Sequence, residues 1–221
     1  MSVIGSIVAR AITGDGLRKS RFHTYRGRPL DIGGFLYLPT SLWTTILFKV
    51  WKRRPRKPWL GFRAIKHLDR IVSRDSRVLE FGSGMSTLWF ARRCKLLVSI
   101  ETDRHWYEQI RSILQGQAIG NVDYRFSTES ETLSEYEDSS FDFVLVDGYN
   151  RDVVMKTAIA KVRLGGYIYL DNSDVPYREY QTARQLLLTA AGAEREIYVF
   201  NDLSPTQVCV SEGTLAAITN K

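Results

Sequence analysis

Three apolar runs, each closed by an acid, predict an α/β chain with an open, mostly parallel sheet. They are Arg77-Val78-Leu79-Glu80-Phe81, Leu96-Leu97-Val98-Ser99-Ile100-Glu101 and Phe141-Asp142-Phe143-Val144-Leu145-Val146-Asp147. Segments with helical spacing separate them, the alternation expected of parallel strands joined by crossover helices. Gly82-Ser83-Gly84, directly after the first run, reads as a tight turn opening into a helix that has Ser86 near its start. Three strand ends therefore converge on one edge of the sheet, where open parallel sheets bind ligands.

In chain order, the first residues stand apart from the rest. Residues 1–63 hold thirteen Lys and Arg against Asp15 and Asp31, a net +11, which leaves −4 for the remainder of a chain of net charge +7. Such asymmetry predicts an anionic partner for the appendage and not for the body. Val3, Ile4, Ile7, Val8, Ala11 and Ile12 recur at helical spacing and predict one apolar stripe. The run from Ile32 to Phe48 has no charge but contains Gly33, Gly34 and Pro39, too short and interrupted for a membrane span. A basic cluster with tryptophans at both ends follows, Lys49-Val50-Trp51-Lys52-Arg53-Arg54-Pro55-Arg56-Lys57-Pro58-Trp59. Three readings stand side by side. Phe35, Leu36, Leu38, Leu42, Trp43 and Ile46 pack as a lid on the body with the basic run solvated, the segment meets an anionic membrane surface, or it binds nucleic acid. The first basic residue is Arg10 and no compact apolar core with a cleavage-like site follows, which argues against a secretory signal. A cytoplasmic protein, peripheral at the inner membrane face, is the expected localisation. The acid-poor, Arg-containing start also has the composition of a mitochondrial transit peptide.

The body is expected to begin at residue 59, giving an appendage over 1–58 and a domain over 59–221. Leu60, Phe62, Ile65, Leu68, Ile71 and Val72 predict an amphipathic helix with Pro58 at its start. Residues 104–114 predict the second crossover helix, Val122-Asp123-Tyr124-Arg125-Phe126 a third strand, 152–162 a helix, and Tyr167-Ile168-Tyr169-Leu170 a fifth strand. A helix over 177–191 and strands at 196–200 and 207–210 complete the chain, with Asn201-Asp202-Leu203-Ser204-Pro205 as the turn. Cys94 and Cys209 have no metal-type spacing and read as reduced core thiols.

These features resemble the class I S-adenosylmethionine-dependent methyltransferases. Their acid-x-Gly-x-Gly-x-Gly motif stands here as Glu80-Phe81-Gly82-Ser83-Gly84-Met85-Ser86, with Ser at the third glycine as in the small-molecule O-methyltransferases. Dinucleotide oxidoreductases share the first glycines but usually carry G-x-G-x-x-G, which Ser86-Thr87 fits poorly. The resemblance covers residues 59–212 and implies a Rossmann-like, doubly wound, seven-stranded, mostly parallel sheet closed by an antiparallel C-terminal hairpin. It implies S-adenosyl-L-methionine as cofactor, bound around Glu80, Gly82, Ser83, Gly84, Ser86 and Thr87. Glu101 stands about 20 residues beyond the glycines, where a ribose acid belongs, with Thr102 after it. Trp106 covers one face of the adenine or packs in the core. Ser127, Thr128 and Glu129 meet the adenine or form a solvated loop.

Asp147, Asp171 and Asn172 are similar to the metal set of catechol O-methyltransferase and the plant caffeoyl-coenzyme A enzymes, which implies Mg2+. Asp171-Asn172-Ser173 is equally a turn sequence. That family places a lysine base three residues after the first metal acid, where this chain has Asn150. Arg151 stays protonated and suits an anionic substrate; without a metal, Asp147 is the candidate base, with His23 and His105 as outside candidates. The expected activity is O-methylation of a small molecule, sugar or lipid-linked glycan. Nucleic-acid methylation is disfavoured, because Asp147-Gly148-Tyr149-Asn150 replaces the Asn/Asp-Pro-Pro-Tyr/Phe motif of the amino methyltransferases. A silent binding module is the third reading, opposed by intact Glu80, Gly82, Gly84 and Glu101.

Overall fold

The structure, a computed structural model, describes residues 16–117, 119–127, 133–192 and 196–220. The expected stripe over residues 3–12, and Thr128 and Glu129, lie outside these described residues.

Five strands run parallel: β1 (Arg77–Phe81), β2 (Leu96–Glu101), β3 (Val122–Phe126), β4 (Phe141–Val146) and β5 (Val162–Leu170). Two more, β6 (Ile197–Ser204) and β7 (Gln207–Ala217), form an antiparallel hairpin whose second strand pairs with β5. The single sheet has the order β3-β2-β1-β4-β5-β7-β6, the seven-stranded arrangement expected. Strand order reverses between β1 and β4, so the crevice beyond Phe81 and Val146 is the topological switch point.

Both faces of the sheet are covered, which is why its central strands are apolar throughout. Helices α1 (Ile32–Phe35), α2 (Leu38–Trp51), α3 (Phe62–Ile71), α4 (Met85–Ala91), α5 (Arg104–Gly116), α6 (Arg151–Lys161) and α7 (Arg178–Ala191) are present among the described residues. On one face Leu79, Val98, Val144 and Ile168 pack with Met155 of α6 and Leu187 of α7. On the other, Val78, Leu97, Phe143 and Tyr169 pack with Leu68 of α3 and Phe90 of α4.

Three local expectations are corrected. Helix α3 starts at Phe62 with Gly61 as its cap, so Pro58 lies outside it. Residues 201–204 are not turn but strand, because Asp202 is buried against Arg63 and accepts its backbone N–H at 2.7 Å. The turn is the two-residue Pro205-Thr206, with Thr206 at φ +67°, matching the sign pattern of a type II turn. Of the residues expected to pack as a lid, Leu38 does so, against the cluster of Leu30, Phe62, Leu203 and Val210. Phe35, Leu36, Leu42, Trp43 and Ile46 face outward, while Ser41 and Thr44 form the inner face of α2 against the β6–β7 hairpin.

The described part of the appendage, from residue 16, packs directly on the body. Leu30 shares an apolar cluster with Phe62, Leu203 and Val210. Tyr25 donates its N–H to Asp174 at 2.7 Å, and Arg63 reaches Asp31 at 2.7 Å.

Candidate active site

The turn after β1 is shaped by a backbone crossing. Gly82 has φ +90°, and a Cβ there would stand 2.7 Å from the Asp147 carbonyl carbon and the Gly148 nitrogen. Glycine is thus required by the neighbouring β4 loop as well as by its dihedral. Gly84 differs. Its backbone is extended, at φ 174°, and a Cβ would meet nothing nearer than Ser86 Oγ at 3.9 Å. The space over Gly84 is therefore open.

Glu80 and Thr87 lie beneath the turn. Glu80 is fully buried, and Oε2 accepts from Thr87 Oγ1 and Ser99 Oγ, each at 2.6 Å. Thr87 Oγ1 in turn accepts the Gly84 N–H at 2.9 Å, capping α4. Burial raises the Glu80 carboxyl to about 7, against the opposing pull of hydroxyl donors from Ser86, Ser99 and Thr87. Its Oε1 has no hydrogen-bond partner. Ser86 is also buried.

Glu101 closes the other side of the turn. Oε2 accepts from Ser83 N at 3.0 Å and Ser83 Oγ at 2.7 Å, and Oε1 accepts from the N–H groups of Thr102 and Asp103. Ser83 Oγ also lies 2.7 Å from the Tyr124 hydroxyl. The serine hydroxyl therefore has a second partner besides Glu101. Trp106 donates Nε1–H to the Ser83 carbonyl at 2.7 Å and so stands as a wall beside the turn.

Two adjoining cavities open at this edge, sharing Gly82, Gly148 and Tyr149. The smaller, about 60 Å³, is a mainly apolar slot lined by Ile100, Thr102, Ser127, Asn150, Val153 and Val154 among others. The larger, about 410 Å³, is bounded by Ser83, Glu101, Asp103, Trp106, Asp147, Arg151 and Tyr180. Three acids of this cavity, Glu101, Asp103 and Asp147, suit a ligand that carries positive charge.

Beyond β4, Asp147 meets Arg151, whose Nη2 donates to Oδ1 at 3.0 Å. Arg151 opens α6 and is buried; its Nη1 donates to the Gly148 carbonyl at 2.6 Å and to the Tyr180 hydroxyl at 3.0 Å. Asp171 ends β5 beside Asp147, and burial followed by the Asp147 charge raises it well above the usual carboxylate range. Asp147 is raised as well, chiefly by burial and against the pull of Arg151. Two close carboxyls of this kind titrate as a coupled pair.

A hard cation takes deprotonated oxygens, and at Asp147, Asp171 and Asn172 it would compete with the Arg151 guanidinium, which already holds one oxygen of Asp147. Asn172 sits in a left-handed turn (φ 55°), and its carbonyl accepts from Val175 N. Asn150 likewise occupies a left-handed position (φ 51°), capping α6 through its carbonyl. Its side chain is exposed at the rim of the small slot. Both asparagines thus serve turns, for which their tolerance of positive φ suits them.

The structure therefore brings together Gly82, Ser83, Glu101, Thr102, Trp106, Ser127, Asp147 and Arg151, with Asp171 behind Asp147. Tyr124, Tyr149 and Tyr180 were not among the sequence expectations. Tyr180 lies 29 positions from Arg151, and no local pattern marks such a pairing.

Residues 79–173 match the family model of a methyltransferase domain. That segment runs from β1 to just beyond β5 and is similar to a methyltransferase domain. No curated protein matches it significantly. Among solved structures it is similar to TomG, an O-methyltransferase from Streptomyces achromogenes involved in tomaymycin synthesis and solved with S-adenosylmethionine. That likeness has a TM-score of 0.61 and 19% identity, over 86% of this chain and 100% of that one. An O-methyltransferase from Bacillus cereus, solved with S-adenosylhomocysteine, follows at TM-score 0.58 and 19% identity, over 83% and 91% of the two chains. A tRNA methyltransferase from Aquifex aeolicus aligns at TM-score 0.55 and 14% identity, over 76% and 73%. At these identities the chain resembles its neighbours in fold alone.

Proposed function

We propose that this methyltransferase transfers the methyl group of S-adenosylmethionine to a hydroxyl oxygen of a small-molecule, sugar or lipid-linked acceptor. The observation that carries this is the continuous cleft from the apolar slot, over the Gly82-Ser83 turn, to Asp147. An adenine suits the slot beside Ile100, Thr102 and Ser127, a ribose diol suits Glu101, and the charged end of the cofactor suits the acid-lined cavity. The bound cofactor supplies an already activated methyl group. O-methyltransferases among the structural neighbours support the choice of oxygen as acceptor.

What remains for the chain is to hold the acceptor in line and to take its proton. Asp147 is the base on this reading. Its raised affinity for a proton brings it closer to working pH, and Arg151 fixes its orientation. Arg151 stays charged and, with Tyr180, stabilises negative charge that develops on the acceptor oxygen. Asp171 stands beside Asp147, its carboxyl raised by burial and by the Asp147 charge. Trp106 and Tyr149 wall the cleft. Glu80 and Thr87 hold the turn rather than the ligand, and Asn150 shapes the slot rim. No step is routed through a metal.

The appendage, residues 1–58, brings the domain to the surface that presents the acceptor. No helix among the described residues is long and apolar enough to cross a membrane. The basic cluster from Lys49 to Lys57 supports a peripheral position at the inner membrane face, the localisation we propose.

Calorimetric titration with S-adenosylhomocysteine tests the cofactor assignment. Micromolar binding is expected for the wild type, weakened at least tenfold (about 1.4 kcal/mol) in Glu101→Gln, which loses the charge that favours a diol. Equal affinity in both proteins would remove Glu101 from the ribose role.

A further inference from the structure

Helix α2 rests on the β6–β7 hairpin through its polar side. Ser41 Oγ donates to the carbonyls of Gln207 at 2.8 Å and Ser204 at 3.1 Å, and Thr44 Oγ1 accepts from Thr206 N at 3.1 Å. The outward side is apolar. Leu42 is 45% exposed, Trp43 57%, Ile46 43%, Val50 64% and Trp51 55%, and α1 with its following residue continues the surface through Ile32 at 87% and Leu36 at 77%. Positions 42, 43, 46 and 50 fall at helical spacing, so they form one ridge. The Trp43 and Trp51 rings lie 6.4 Å apart on it.

Helix α2 is apolar around most of its circumference: Leu38 packs on the Leu30 cluster and Phe48 meets the Trp59 ring, yet most of its large apolar side chains stay outward. Its inner face is already satisfied by hydrogen bonds to the hairpin, so the outer face is not a lid awaiting closure on this domain. A contiguous patch of this kind marks an interaction surface. Its chemistry selects the partner. From Ile32 to Phe48 no residue is charged, and the C-terminal end is rimmed by exposed Lys49, Lys52, Arg53, Arg56 and Lys57 without an acid between them. Apolar residues with tryptophan at a ridge and a cationic rim complement a bilayer interface with anionic headgroups. A nucleic acid would reward the rim but not the exposed aliphatic centre.

We propose that the outward face of α1 and α2 docks the protein in plane on a membrane containing anionic lipid. Leu36, Leu42, Trp43, Ile46, Val50 and Trp51 enter the headgroup–acyl boundary, and the basic rim meets lipid phosphates. The rim also leads into the active site. Arg54 lies over the Trp106 ring at 4.6 Å and donates to Gln109 at 2.7 Å, and Trp106 is bonded to the glycine turn. Docking therefore sets the cleft near headgroup level, where a lipid-borne acceptor would be presented. This last consequence rests on the proposed methyl transfer; the docking does not.

The full-length chain is sedimented with vesicles of equal parts phosphatidylcholine and phosphatidylglycerol, and with phosphatidylcholine alone. Binding to the mixed vesicles, loss of binding in high salt, and quenching of tryptophan emission by brominated lipid are expected. The variant L42S/I46S/V50S keeps both tryptophans and should bind at least about tenfold more weakly, with unchanged circular dichroism and unchanged S-adenosylhomocysteine affinity. Absence of binding to mixed vesicles, or equal binding by the variant, overturns the proposal. So does a dimer in light scattering that the variant abolishes, which would make a second copy the occupant. Vesicle binding that appears only after residues 1–15 are removed would assign the face to that segment instead. Because cofactor affinity is read separately, failure of docking and failure of the methyltransferase reading are distinguishable.

Discussion

Glu80 shows how a single side chain can face away from the ligand its motif suggests. Its carboxyl lies at 0% exposure with two hydroxyl donors on one oxygen and none on the other. Its folded pKa of about 7 stands above the ordinary 4.5, so the folded state holds more protons between those values. Stability associated with this group is greatest below the unfolded value, falls as pH rises between the two, and levels above about 7. The span corresponds to roughly 3 kcal/mol. Glu80→Gln should flatten that part of the profile, as measured by urea unfolding at a series of pH values. An unchanged slope would mean that Glu80 is ionised in the fold at low cost.

At the scale of an element, the strand–turn–helix from β1 to α4 separates two kinds of glycine. Gly82→Ala places a Cβ against the Asp147-Gly148 backbone at a positive φ and should cost about 2–4 kcal/mol. Gly84→Ala meets only ordinary contacts and should leave thermal stability within about 0.5 kcal/mol. If the cofactor crosses the open space over Gly84, that variant alone combines wild-type stability with weakened S-adenosylhomocysteine binding. Thermal unfolding read beside calorimetry checks both. The hairpin makes a related point. Sequence punctuation suggested a turn over 201–205, yet Asp202 is drawn into β6 by Arg63, a partner on a distant helix. Turn-forming residues describe local options, and a long-range charge pair chose among them.

The whole molecule is less divisible than its charge distribution suggests. Leu30 completes the cluster of Phe62, Leu203 and Val210, and Ser41 and Thr44 serve backbone groups of the hairpin. Removing residues 1–58 would expose this apolar area and leave those groups without their partners. A loss of about 5 kcal/mol follows from one buried leucine and about three hydrogen bonds. A fragment over 59–221 should accordingly unfold at clearly lower temperature than the full chain. Equal melting of the two would restore a boundary at residue 58.

The alternation of apolar runs and helical segments, and acids at three strand ends, determined the parallel sheet and the edge at which a ligand belongs. Those features are local, set by burial on both faces and by turn chemistry, so they are legible without coordinates. Glu101 and Asp147 were found for the same reason, because strand ends are positions that topology makes functional. The tertiary structure alone decided what each polar group faces. It put Glu80 beneath the turn, joined Arg151 to Tyr180 across 29 positions, and set the Arg151 guanidinium against Asp147. It also turned most of the large apolar side chains of α2 outward. A one-dimensional pattern records which residues share a helical face, but only the packing of that helix on the hairpin shows which face remains for a partner.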